Sequence, residues 1–216
     1  MKITIVYDNT TTRSDLTADW GWACFINTGR RNILFDTGGN GKILLENLKY
    51  LNIDPKSVDD IVISHPDFDH IGGLSAFLNA NDKAVVHAPL SFRGIMYPNK
   101  VRNYDKPTEI YPGVFLTGEL DKREQSLAIT TTRGLVLVIG CGHPGIENIV
   151  HAVSEFGNVY AIIGGLHGFD KFEILEDIQK ICPTHCTKHK KEIERLYPEK
   201  CIEGGAGKVL EFDDRK

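Results

Sequence analysis

One stretch constrains this chain more than any other: Ser64-His65-Pro66-Asp67-Phe68-Asp69-His70-Ile71-Gly72-Gly73. It follows Ile61-Val62-Ile63, a short β-branched run of the kind that forms a buried strand. Two histidines and two aspartates then fall within six positions. In extended chain, side chains two apart share a face, so His65 and Asp67 point into one pocket. Asp69 and His70 are adjacent and diverge unless the chain turns between them. Gly72-Gly73 supplies a turn, and residues 74–78 are expected as a short helix whose N-terminus faces the carboxylates. Packed together without a cation, the two aspartates would repel and raise each other's pKa. A pair of divalent cations removes that conflict.

Three later segments have the same form. Gly140-Cys141-Gly142-His143-Pro144-Gly145, Gly164-Gly165-Leu166-His167 and Pro183-Thr184-His185-Cys186 each follow an apolar strand. Each sets a histidine near glycine or proline. A single one would be a loop histidine; three strand ends in register with the first cluster form a converging set. The alternative reading, a structural zinc site from Cys182, His185, Cys186 and His189, requires a helix face, and Pro183 disfavours it.

The pattern His65-x-x-x-Asp69-His70 followed by Gly-Gly resembles the metallo-β-lactamase superfamily, whose motif is His-x-His-x-Asp-His. Asp67 stands where the second histidine usually sits, as in the iron-binding flavodiiron branch. The Gly140 to Ile146, Gly164 to His167 and Pro183 to Thr187 motifs sharpen the resemblance. With Glu124-Gln125-Ser126-Leu127 and Glu203 to Gly207, they resemble the dihydropteroate-synthase-like branch. The implied fold is an α/β class αββα sandwich, two mixed β-sheets flanked by helices, with metals at one edge. The implied ligands are His65, Asp67, Asp69, His70, His143 and His185. Cys141 sits where many relatives carry a bridging aspartate, so it is either a ligand or a supporting residue. Asp36, at a strand end before Thr37-Gly38-Gly39, would hold the ligand loop rather than the metal; a turn-capping role is equally compatible. Asp69 and His167 are the expected catalytic groups: Asp69 orients the nucleophile, and His167 contacts substrate or hydroxide, with ligation also open to it.

The implied cofactors are two divalent metal ions, zinc first, with iron or manganese as alternatives because carboxylate is a harder ligand than imidazole. The expected activity is hydrolysis of a small anionic ester (phosphoester, lactone or thioester) by a dinuclear metal-bound hydroxide. The rivals are a pterin-related synthase, a di-iron redox protein and a non-catalytic ligand binder. No flavin motif accompanies the redox reading.

Strands are expected over residues 3–7, 20–26, 31–35, 61–63, 83–89, 126–130, 134–139 and 159–163, with helices over 40–51 and 146–156. Residues 90–118, with Phe92, Met96, Tyr97 and Tyr104, are expected as a loop that caps the pocket, offering Arg93, Lys100 and Arg102 to an anion. His87, at a strand end, either lines the pocket or is exposed. The 216 residues carry 25 basic and 29 acidic side chains for a net charge of −4. With no basic stripe, bulk nucleic-acid binding is disfavoured. No stretch is apolar enough to span a membrane, and the N-terminus lacks a cleavage-site pattern. A single cytoplasmic domain over 1–216 is expected, binding a small-molecule substrate and compatible with a homo-oligomer.

Overall fold

The computed structural model describes residues 1–93 and 100–213. Its strands are β1 (Lys2–Tyr7), β2 (Ala23–Asn27), β3 (Asn32–Phe35), β4 (Asp60–Val62), β5 (Val85–Pro89), β6 (Val101–Tyr104), β7 (Thr108–Tyr111), β8 (Val114–Leu116), β9 (Leu127–Thr131), β10 (Gly134–Ile139), β11 (Val159–Gly165), β12 (Lys180–Thr184) and β13 (Val209–Glu211). The helices are α1 (Gly41–Tyr50), α2 (Phe68–Ile71), α3 (Leu74–Ala80), α4 (Ile146–Val153) and α5 (Lys190–Leu196). Among the described residues, no helix is long and apolar enough to cross a membrane.

Two mixed sheets result, in the orders β13-β1-β2-β3-β4-β5-β6 and β12-β11-β10-β9-β8-β7. Their strands read as near-continuous apolar runs because both faces are covered. In β10, Val136 and Val138 pack between the sheets, against Phe35, Val62 and Ile163. Leu135, Leu137 and Ile139 face the other way, toward Ile146, Ile149, Val153 and Ile193 of α4 and α5. On the first sheet, Leu34 and Ile61 pack under Leu44, Leu48, Phe77 and Leu78 of α1 and α3. Burying each such side chain contributes about 1.5–3 kcal/mol before entropy is counted. The layers are therefore α, β, β, α.

β3 to β6 run parallel, as do β10 to β12. Loops leaving β3, β4, β10, β11 and β12 at their C-terminal ends carry Asp36, His65, His143, His167 and His185, and open α/β sheets place their crevices at such ends. Asp36, His167 and His185 all take left-handed backbone, with φ of 55°, 43° and 49°. Non-glycine residues adopt it at a cost, which concentrates at functional loops.

Four expectations are corrected. Trp20 to Trp22 are not strand: the Trp22 amide donates to the Asp69 carbonyl and Gly38 donates to Trp22, so this stretch braces the ligand loop. The turn at the ligand cluster comes before Gly72-Gly73, in α2, which carries Asp69 in its first turn; the short helix expected over 74–78 is α3. Residues 101–104, 108–111 and 114–116 of the expected capping loop are β6, β7 and β8; Met96 and Tyr97 lie outside the described residues. Arg93 folds back onto the carbonyls of Leu90 and Phe92. His87 is neither exposed nor in the pocket: fully buried, it meets Asp60 at 2.9 Å and Tyr104 at 2.8 Å, in a network completed by Arg31 and Tyr111.

Candidate metal centre

Four histidines meet at the edge where these loops converge. Ring centroids are 4.1 Å apart for His65 and His70, 4.8 Å for His65 and His143, and 5.0 Å for His70 and His185. Each ring has its Nδ1 engaged by an acceptor outside the cluster. Asp36 accepts from the Ser64 amide at 2.7 Å and the Ser64 hydroxyl at 2.6 Å, and its Oδ2 stands 2.7 Å from His70 Nδ1. With its proton committed to Asp36, Ser64 Oγ is left to accept from His65 Nδ1, 2.8 Å away. Glu124 Oε2 stands 2.8 Å from His143 Nδ1. Asn9 donates its amide to the His185 carbonyl, so its Oδ1 accepts from His185 Nδ1 at 3.1 Å. These acceptors place the proton on Nδ1 and leave each Nε2 lone pair directed inward, the arrangement a metal-ligating histidine uses.

The inward atoms also pass a direct test of fit. His65 Nε2 and His185 Nε2 are buried without a hydrogen-bond partner, which costs stability unless a cation completes the site. Asp69 Oδ2 lies 3.2 Å from His185 Nε2, but not in hydrogen-bonding geometry. The donors fall into two sets sharing no residue, His65, Asp67 and His143, and Asp69, His70 and His185. Within each set the ligand atoms lie within 4.8 Å of one another. Cys141 groups equally closely with His65 and His70, and again with His185 and Cys186.

All six expected ligands are thus brought together. Asp36 touches the ligand loop, as its motif implied, and Cys141 Sγ stands 3.2 Å from His70 Nε2. His167 belongs to none of the sets; its ring is 5.0 Å from His143, and both line a cleft of about 320 Å³ with Ile146, Phe169 and Lys171. Asp67 also has a cation partner, Arg123 at 3.0 Å. The alternative zinc site does not assemble: among the described residues, neither Cys182 nor His189 joins any candidate ligand group, and Cys182 is packed between the sheets.

Charge is arranged to match. Burial first, and His70 second, push His65 down to about 4, so it stays neutral, as a ligand must. Burial opposes charge on His70, but Asp36 outweighs it and raises His70; a bound cation competes for that position with the proton. Asp69 is held well below the usual carboxylate range, chiefly by His185. Burial alone would raise Glu124. The His143 ring, His65 and the amides of Gly142 and His143 reverse that, holding it at about 2. In the Cys141–Cys186 pair, the contact raises Cys141 and lowers Cys186.

Sequence reasoning gave no role to Glu124, Asn9 or Asp8, and gave Cys186 one only in the alternative zinc site. Glu124 accepts three backbone amides, from Cys141, Gly142 and His143, besides the His143 ring. Asp8 accepts the His185 amide at 2.8 Å. The only advance signal was the Glu124-Gln125 motif; Asp8 and Asn9 lie in an unremarkable polar loop.

A four-layer αββα sandwich with a histidine–carboxylate ring at its strand-exit edge defines a class of metal-centred proteins. The sequence pattern of the metallo-beta-lactamase superfamily matches residues 18–154, and the chain belongs to that superfamily. It is 28% identical, over 85% of each chain, to the 7,8-dihydropterin-6-methyl-4-(beta-D-ribofuranosyl)-aminobenzene-5'-phosphate synthase of Methanocaldococcus jannaschii, which supports the branch its motifs resemble. Among solved structures, a metal-dependent hydrolase of the beta-lactamase superfamily superposes with a TM-score of 0.80, at 23% identity, covering 99% of this chain and 100% of the other. Zn(2+)-bound PqqB from Methylobacterium extorquens gives 0.68 at 12% identity, covering 98% and 100%. These two likenesses concern the fold.

Proposed function

We propose that the protein is a metal-dependent hydrolase acting on a small anionic ester through a two-ion centre. The observation that carries this reading is the common orientation of four histidines, each with Nδ1 held from outside and Nε2 directed inward. Structural histidines have no reason to share one tautomer around one point. The two disjoint donor sets support two ions rather than one. When bound, divalent ions supply a hydroxide nucleophile at neutral pH and a Lewis acid for the ester oxygen. Asp69, ionised and beside His185, orients the nucleophile. His143 and His167 stand where the centre opens into the cleft, so His167 bears on the substrate. The amides opening α4, which has no side-chain cap, favour an anionic end group; Lys171 on the cleft wall is paired with Glu147 and reaches such a group only by leaving that partner.

The test is metal analysis of the purified protein, followed by chromogenic phosphodiester, lactone and thioester substrates before and after chelation. Turnover of one class, abolished by chelator and restored by zinc or manganese, supports the reading. Undiminished turnover by stripped protein overturns it.

The similarity to a named synthase across 85% of each chain favours a second reading, a pterin-related synthase forming a carbon–nitrogen bond. The relative's name includes a 5'-phosphate, so an anionic substrate is common to both readings. Coupling of a dihydropterin to an aminobenzene ribosyl phosphate, with no ester hydrolysis, would select the synthase.

A further inference from the structure

Cys186 follows His185 directly at the exit of β12. Its Sγ stands 3.1 Å from Cys141 Sγ and 3.8 Å from the Cys141 carbonyl oxygen. The two sulfurs are inside the sum of their van der Waals radii, a separation suited to a shared proton or a shared cation. Cys141 Sγ in turn lies 3.2 Å from His70 Nε2, a nitrogen directed into the centre. The Cys141, Cys186 and His185 donors lie within 4.8 Å of one another.

The surroundings are built around this pair. A Cβ on Gly165 would stand 2.4 Å from the Gly140 carbonyl oxygen and 2.7 Å from Cys186 Sγ, so any larger residue at the β11 exit would displace the β10 exit backbone and the Cys186 sulfur. Cys24 and Cys182 provide the contrast, since both pack among aliphatic side chains between the sheets, where a thiol acts as a small apolar group.

We propose that Cys141 and Cys186 enter the metal centre as sulfur ligands and, with His185, form a seat that selects a thiophilic divalent ion such as zinc over manganese. Imidazole already favours zinc over manganese, carboxylate opposes that preference, and thiolate widens it toward the softer ion. Ligation requires each thiol to give up its proton, which passes to solvent. The inference rests on the metal-centre reading above. Thiolate charge lowers the net charge of the centre, so preference for an anionic substrate then falls to the cleft wall.

The experiment titrates cobalt(II) into reduced, chelator-stripped protein and records its absorption spectrum. Sulfur ligation produces an intense near-ultraviolet sulfur-to-cobalt charge-transfer band that saturates with metal. Cys186→Ser and Cys141→Ser should each weaken it, and Cys201→Ser should leave it unchanged. Zinc-over-manganese selectivity should fall in Cys186→Ser by more than the roughly 10–100-fold that loss of a mere outer partner costs. X-ray absorption on zinc-loaded wild type requires no variant and should show a sulfur shell at about 2.3 Å. Cobalt bound with visible bands but no charge-transfer band overturns the sulfur seat and leaves the two-ion reading standing. Failure to bind cobalt at all overturns both. A Cys141–Cys186 disulfide in the metal-loaded protein, found by mass spectrometry, overturns the sulfur seat.

Discussion

At the scale of single residues, the centre depends on side chains that never touch a cation. Glu124 is the clearest case, buried and held ionised by a ring and backbone amides. Its pKa in the folded protein, about 2, lies below the ordinary glutamate value of 4.5. The stability it contributes is therefore fully present above about pH 4.5 and is lost as pH falls toward 2. A shift of this size corresponds to about 3 kcal/mol. In metal-free protein, Glu124→Gln should be less stable than wild type by that order at pH 6, with the gap narrowing steadily as pH falls from about 4.5 toward 2; denaturant melts at several pH values measure it. A constant gap would mean that the glutamate acts by shape alone. Asp67 gives a second prediction. It belongs to the His65 and His143 donor set but also pairs with Arg123. Asp67→Ala should lose mainly that ion, while Asp67→His should raise zinc relative to iron when the metals are offered equally under reducing conditions. Unchanged metal content in Asp67→Ala would assign the carboxylate to Arg123 alone.

At the scale of elements, the exits of β4 and β10 must touch. A Cβ on Gly140 would stand 2.3 Å from Ser64 Oγ, which itself serves both Asp36 and His65. Gly140→Ala should cost about 1–3 kcal/mol, as overpacking does, and lower zinc content. Gly168→Ala, with nothing within 4 Å, should do neither; melting temperature and zinc per chain check the pair. The central strands and their exits were legible because strands covered on both faces are continuous apolar runs. The edges were not. β6 and β7 are the outer strands of the two sheets, and edge strands are short, polar and tolerant of proline, so residues 90–118 look like loop. The Asp60–His87 pair was hidden for a related reason: its partners come from both sheets, and face-to-face packing leaves no local pattern. Asn9 is 176 residues from His185, a pairing no periodicity encodes.

At the scale of the whole molecule, the centre joins the two halves of the chain. His65, Asp67, Asp69 and His70 come from the first sheet's loops; Cys141, His143, His185 and Cys186 come from the second's. Asp8 and Asn9, at the end of β1, hold His185 across that boundary. β13 returns to pair with β1, and the N-terminal amine donates to the Phe212 carbonyl at 2.8 Å. This closure leads us to propose that the described chain unfolds as one unit. A cation spanning the halves binds the native state and not the unfolded one. At a free concentration 1,000 times its dissociation constant it stabilises by about 4 kcal/mol. For a chain of this size each kcal/mol moves the midpoint by about 2–4 °C, so stripping should lower the melting temperature by about 8–16 °C. Calorimetry of loaded, stripped and reloaded protein should show one transition that falls and then recovers. Two transitions in the loaded protein would mean that the sheets unfold separately, with the centre unable to couple them. An unchanged midpoint would mean that no cation binds the native state preferentially, leaving the inward Nε2 atoms of His65 and His185 without an explanation.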